Sequence, residues 1–382
     1  MKLKTSLIFI TSLLTFQLSF GQSDVIEKSV NYLSQNGKSP EEYVINTFKT
    51  KDIVLLSEDH RVKENLDFLQ SLVPKLYDAG VLNIGMEFGA SEDQAKLDSL
   101  VNAETYNEDV AREIMFSYNT GWAFKEYMDV YRAVWKFNKS LAKNQPKFRV
   151  VNLSYKYDWT SFDGVRTPEN MKIVFHKGNS EAYRFNIVDR EIVKKNQKII
   201  ILTGEVHGFT QYQFPVYDFL SKDFIRYQTA DFGNLLYQKF GDKVFSILLH
   251  QPFSNYPNKK PTLVSPANGN IEKIMARLNN KKFGFDLANT PLGELRDSSY
   301  YSMGYDNFKL SDLHDGYIFL NPLNKLHSCT IDTLFLNEKN SAIAIKNMPD
   351  PDWRKRPKNL TEYWQQIYDF ADIPKIYAKV DK

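Results

Sequence analysis

The sequence predicts an α/β protein with a mainly parallel central sheet flanked by helices and carrying a helical insertion. Three observations predict it. Short continuous apolar runs, such as Ile53-Val54-Leu55-Leu56 and the Ile-Ile-Ile-Leu within Lys198 to Thr203, have the composition of strands covered on both faces. Segments of helical period stand between those runs. The first strand, helix and strand, Ile53 to Met86, follow one another closely enough to make a right-handed parallel βαβ unit the expected arrangement.

The elements follow in order. After Ile53–Leu56, a helix is expected over Glu64 to Ala79. Leu66, Leu69, Val73 and Leu76 share one face, Gly80 stands at the stop, and Pro74 predicts a kink. Val81 to Met86 reads as the next strand. Residues 91–142 read as helical throughout, with Trp122 to Lys143 the longest piece; Phe124, Met128, Tyr131 and Trp135 recur there at helical spacing. Phe148 to Leu153 is a strand. Ser180 is placed to cap a helix running to Asn196, and Lys198 to Thr203 is a buried strand. A helix near Ala230 to Phe240 ends at Gly241, and Val244 to Leu249 is a strand. Beyond 251 the order weakens. Phe283-Gly-Phe and Tyr317-Ile-Phe-Leu look like strands, and Tyr363 to Phe370 looks helical.

Lys2 and Lys4, the apolar or hydroxylic stretch Ser6 to Phe20, and small Ser19 and Gly21 read as a secretory signal peptide over 1–21. That leaves 22–382 as one α/β domain: a motif-bearing core about 50–250, the insertion about 91–142, and an extension over 251–382. The expected localisation is exported, periplasmic or secreted. No Cys follows the signal to take a lipid, and no second long apolar run suggests a transmembrane anchor. The formal charge of +3, falling to about +1 without Lys2 and Lys4, gives no case for nucleic acid as a partner. The single Cys329 cannot form an intrachain disulfide, so the fold rests on its core. The 27 Phe and 22 Tyr suit a bulky core, or a site that stacks on rings.

Ligands in open α/β sheets bind outside the carboxyl ends of the parallel strands, so the residues just after each strand matter most. Glu58 and His60 follow the first strand, Glu87 the second, and Tyr155, Tyr157 and Asp158 the third. Glu205 and His207 follow Lys198–Thr203, and His250 follows Val244–Leu249. Three of the six histidines thus stand directly after a strand, two of them in the same Glu-x-His pattern. Such a cluster suits two chemistries. His60, Glu87 and His207 are types that can ligate a divalent metal that activates water. Without metal, a histidine can act as general base with a Glu orienting it. Asp189 falls within the apolar arc of its helix and is a further candidate, either catalytic or part of a buried network, with Arg184, Arg190 or a site histidine as partner. The His327-Ser-Cys329 pair reads more simply as an inert thiol. There is no Gly-x-Ser-x-Gly elbow, Walker loop, Gly-x-Gly-x-x-Gly or His-Glu-x-x-His motif.

Ile-Val-Leu-Leu-Ser-Glu-Asp-His60, a helix, then Asn-Ile-Gly-Met-Glu87 resembles the opening of erythromycin-esterase-like proteins and of the ChaN-like haem-binding proteins, with a related layout in the Tiki group. Phe124-Lys-Glu126 and Trp135 to Asn138, Val188-Asp-Arg190 with Asn196, and Ile-Leu-Thr-Gly-Glu-Val-His207-Gly extend the likeness over about residues 50 to 250. Ser57 stands where the first motif has Gly, and Lys136 where an Arg is usual. The esterase-like resemblance implies a hydrolase of esters or lactones with no obligate metal, and the Tiki resemblance a metal and peptide substrates. Catalysis would then fall to Glu58, His60, Glu87, Glu205, His207 and Asp189. The ChaN-like resemblance implies a binding protein for haem or another hydrophobic ligand, with His and Tyr as axial ligands and Tyr155, Tyr157 and His250 as the candidates. Ser57 also admits a third reading, a non-catalytic domain with a decayed site.

Overall fold

The computed structural model describes residues 24–162, 164–218, 223–255, 262–351 and 354–381. The expected signal peptide lies outside them. Among the described residues no helix is long and apolar enough to cross a membrane.

The fold is α/β. Seven strands form the main sheet: β1 (Ile53–Glu58), β2 (Asn83–Ala90), β3 (Arg149–Ser154), β4 (Ile199–Gly204), β5 (Val244–Leu249), β6 (Phe283–Asp286) and β7 (Gly316–Phe319). Their order is β6-β7-β5-β1-β4-β2-β3. Every neighbouring pair is parallel except β6 with β7. Residues beyond 251 therefore do more than extend the chain, since they add two strands to the sheet.

The continuous apolar runs work because successive side chains alternate across the sheet. Val54 and Leu56 join one core layer with Ile200, Leu202, Ile247 and Leu249. Ile53 and Leu55 join the opposite layer with Ile199 and Ile201. The first layer packs beneath α1 (Lys63–Asp78), α2 (Gln94–Leu100), α3 (Glu108–Tyr118) and α4 (Lys125–Ser140). The second is covered by α5 (Ser180–Glu191) and α6 (Phe232–Phe240).

Several boundaries differ from the sequence reading. The insertion is three separate helices, because the chain breaks at 101–107 and again at 119–124. Helix α1 runs through Pro74 as one element. The cap of α5 is Asn179, whose side chain accepts from the Ala182 amide, and the helix stops at Glu191. A short turn then ends at Asn196 in the left-handed region, φ 53°. Glu87 lies within β2, not after it. Pairing of β2 with β4 stops at Met86, where the register with β3 also shifts. Glu87 is thus the first residue freed from β4, and that lets its carboxylate reach across to the β4 terminus.

Candidate functional site at the carboxyl edge of the sheet

Strands β1 and β4 end in register, with Glu58 opposite Gly204. The chain leaving β1 turns sharply, and Arg61 adopts a positive φ of 75°. That conformation costs about 1–3 kcal/mol for a residue other than glycine. Four hydrogen bonds hold it: the Arg61 amide donates to Tyr127 Oη at 3.2 Å, and its guanidinium donates to the carbonyls of His60 and Phe370, both at 2.7 Å, and to Asp59 at 3.0 Å. The turn swings the His60 ring back over Glu58.

Glu58 is buried. One oxygen accepts from Tyr127 Oη at 2.6 Å and lies 3.1 Å from His60 Nδ1. Burial pushes the Glu58 carboxyl above its usual range, with His60 and Tyr127 pulling it partly back. The His60 ring stands edge-on to Phe88 and Trp122, at 4.7 and 5.4 Å between centroids. Its Nε2 has no hydrogen-bond partner among the described residues and lies over Gly204. A Cβ there would sit 3.0 Å from His60 Nε2 and 3.5 Å from His207 Cδ2. Glycine is required at 204 because the two histidines approach each other across it.

His207 stands on the short turn Glu205–Gly208. Its Nδ1 is 2.9 Å from Glu181 and its Nε2 3.3 Å from Glu87. Between those carboxylates lies Arg184, which donates to Glu181 at 2.7 Å, to Glu87 at 3.1 Å and to Ser154 Oγ at 3.1 Å. The other Glu87 oxygen accepts from Thr203 Oγ1 and the Gly204 amide, at 2.8 and 2.7 Å. Glu181 also caps α6, accepting from the Phe232 amide at 3.0 Å. Burial alone would raise both carboxyls and neutralise the ring. Mutual attraction overrides it: His207 and Arg184 hold Glu87 well below the usual carboxylate range, and Glu181 falls to about 2. The same carboxylates raise His207 against the opposing effects of burial and of Arg184, which favours the charged form of the ring. Two cations and two anions thus compensate one another in a buried cluster.

A cavity of about 450 Å³ opens beside this cluster. Glu87, Arg184 and His207 line its polar side. Phe88, Trp122, Tyr157, Trp159, Phe175 and Phe370 are among its aromatic walls.

The structure brings Glu58, His60, Glu87 and His207 together, and leaves four of the other expected residues elsewhere. Glu205 turns away from His207 into a separate buried pocket. There its carboxylate accepts from Gln251 Nε2 at 2.5 Å and Tyr301 Oη at 2.8 Å, and burial pushes its pKa up to about 8. Asp189 does not face the sheet: it pairs with Lys194 at 2.8 Å, because Glu181 and Arg184 occupy the inner face of α5. Tyr155 is buried, donates to the Gly178 carbonyl and packs on Tyr157 and Tyr183. His250 is buried, with Nδ1 2.6 Å from Tyr317 Oη and Nε2 2.7 Å from Glu272. With their donor atoms engaged, Tyr155 and His250 do not fit the role of iron ligands to haem.

The metal set His60, Glu87 and His207 does not fit either. Among the described residues no three His, Cys, Asp or Glu side chains are grouped as a metal centre. Arg184 stands where a cation would, and all the Glu87 lone pairs that face the site have donors. Cys329 is buried with its thiol pushed up by desolvation, and His327 pairs with Glu64 at 2.6 Å.

Sequence reasoning missed Glu181, Tyr127 and Trp122, and named Arg184 only as a partner for Asp189. The i, i+3 spacing of Glu181 and Arg184 was the available signal. Ser57 is buried too, and a Cβ on Gly208 would lie 1.9 Å from its hydroxyl. Its side chain fills space that Gly208 leaves, so it does not disturb the turn carrying His207.

An α/β sheet with a paired-histidine, carboxylate-rich cluster at its carboxyl edge defines the class. Residues 44–187 match the family described as haem-binding uptake, Tiki superfamily, ChaN, in agreement with the motif resemblance. No curated protein sequence matches the chain. Among solved structures, a Bacillus cereus protein aligns over 81% of this chain and 99% of its own at 11% identity, TM-score 0.49. A mutant of erythromycin esterase EreC in its open conformation aligns over 78% and 95% at 13% identity, TM-score 0.49. ChaN of Campylobacter jejuni, described with cofacial haem binding, aligns over 55% and 86% at 16% identity, TM-score 0.33.

Proposed function

We propose that the protein is an exported hydrolase acting on an ester of a ring-bearing small molecule, with His60 as general base. The observation that carries this reading is the Glu58–His60 pair, whose free Nε2 opens over Gly204 beside the cationic His207. Water would give a proton to His60 Nε2 as its oxygen attacks the ester carbonyl carbon. Glu58 would hold the ring through Nδ1–H and stabilise the imidazolium that forms. The carbonyl oxygen gains negative charge in this step. Collapse of the tetrahedral adduct breaks the ester C–O bond, and the leaving alkoxide takes the proton back from His60. His207 is itself no proton carrier in this scheme, since both its nitrogens face carboxylates. The engaged donors around Glu87 argue against a metal-dependent peptidase.

Hydrolysis of aryl esters and lactones by purified protein tests the reading; no turnover of any by the wild type would overturn it. The aromatic cavity walls favour one alternative, a ChaN-like carrier of haem or another hydrophobic ligand. A Soret shift on titration with hemin, without ester turnover, would select it. The export part of the proposal expects the intact mass of the mature protein to begin at or near Gln22.

A further inference from the structure

Four of the five charged residues that line the cavity have ion-pair partners. Glu87, Arg184 and His207 are mutually paired, and Asp350 is held by Arg166 at 2.6 Å. Arg354 is the remaining charged residue of the lining, and among the described residues its guanidinium has no ion-pair or hydrogen-bond partner. It lies 3.8 Å from the centre of the Phe370 ring, and the Arg61 guanidinium lies 3.9 Å from the same ring. An aromatic face attracts a cation, but it does not remove the repulsion between two. Arg61 is satisfied by Asp59 and two carbonyls. Partial desolvation and the charge of Arg61 lower the pKa of Arg354, with the nearby Asp350 opposing them without forming an ion pair. The cavity therefore presents ring-stacking walls, a polar edge of Glu87, Arg184 and His207, and at Arg354 a cation without an ion-pair partner.

This combination specifies a ligand. We propose that the substrate is a ring-bearing ester that also carries a carboxylate, set apart from the scissile bond and paired with Arg354. A guanidinium suits this role, because its planar fork matches a carboxylate with two parallel N–H donors. Arg354 is then a specificity-determining residue: it touches the substrate away from the reacting atoms, and its contribution falls on binding. The inference rests on the hydrolase reading for the word ester; the anion site itself does not depend on it.

The test compares two probes of the same shape. Binding of 2-naphthoate and the neutral 2-naphthamide is measured by calorimetry on the wild type, Arg354→Gln and Arg354→Lys. The wild type should bind the carboxylate about 10-fold or more tightly than the amide. Arg354→Gln should abolish that preference with the amide affinity unchanged, and Arg354→Lys should keep part of it. Equal affinities in the wild type, a preference that survives in Arg354→Gln, or binding of neither probe would overturn the proposal. If Arg354→Gln melts early, the wild type alone decides: the preference should shrink from about 50 to about 500 mM salt, and a salt-independent one refutes the site. Matched aryl esters with and without a distal carboxylate separate the two readings. If neither ester turns over while naphthoate is still preferred, hydrolysis fails and the anion site stands.

Discussion

Glu58-x-His60 and Glu205-x-His207 are the same three-residue pattern after neighbouring strands, and they fold into opposite arrangements. In the first, the Glu and His face each other, and a left-handed residue at Arg61 closes the turn that makes them meet. In the second they part. Glu205 goes to Gln251 and Tyr301, while His207 takes Glu87 from β2 and Glu181 from α5. A histidine with one carboxylate and one free nitrogen is equipped to take a proton. A histidine between two carboxylates is equipped to hold a charge. The backbone after the strand decides which, more than the motif does.

That contrast can be broken at several points. The largest effect is expected at the charge cluster. Arg184→Met leaves Glu87 and Glu181 with His207 as their only cation in a buried setting, and should cost about 3–5 kcal/mol in denaturant unfolding. A loss well under 1 kcal/mol would mean that the cluster is not a compensated unit. Next comes Glu58→Gln, which keeps an acceptor for Tyr127 and His60 but removes the charge behind the ring. Turnover should fall about 10- to 100-fold with little change in melting; an unchanged rate would detach Glu58 from the chemistry.

The smallest effect is expected at Glu205. Its pKa is raised from 4.5 to about 8 in the folded protein, so the folded state binds the extra proton. The stability this contributes is fully present below about pH 4.5 and is lost as the pH rises to about 8. Glu205→Gln removes that dependence. Its melting temperature should gain on the wild type steadily from pH 5 to pH 8, and ester turnover at pH 7 should stay the same. A large loss of activity would return Glu205 to the site and erase the contrast between the two motifs.

The sheet was legible because its apolar runs are continuous and each carries both faces of a strand. The meeting of Glu58, His60, Glu87 and His207 was legible for a related reason, since residues after parallel strands share an edge. Glu181 and Arg184 were not, because an ion pair on the inner face of a helix looks like a solvated surface in sequence. Asp189 was misplaced by the same ambiguity, and Glu205 by treating two identical motifs as equivalent. Arg354 lies in a stretch with Pro349, Pro351 and Pro357, where periodicity is lost and position is set by contacts distant in sequence.

The central claim is that His60 takes the proton. His60→Ala, assayed with an aryl ester that the wild type hydrolyses, should lower kcat about 10²- to 10⁴-fold. Its thermal midpoint should move by only about 2 °C, since the ring is partly exposed and Nε2 supports nothing else in the fold. A variant that keeps full activity with an unchanged melt would contradict the assignment.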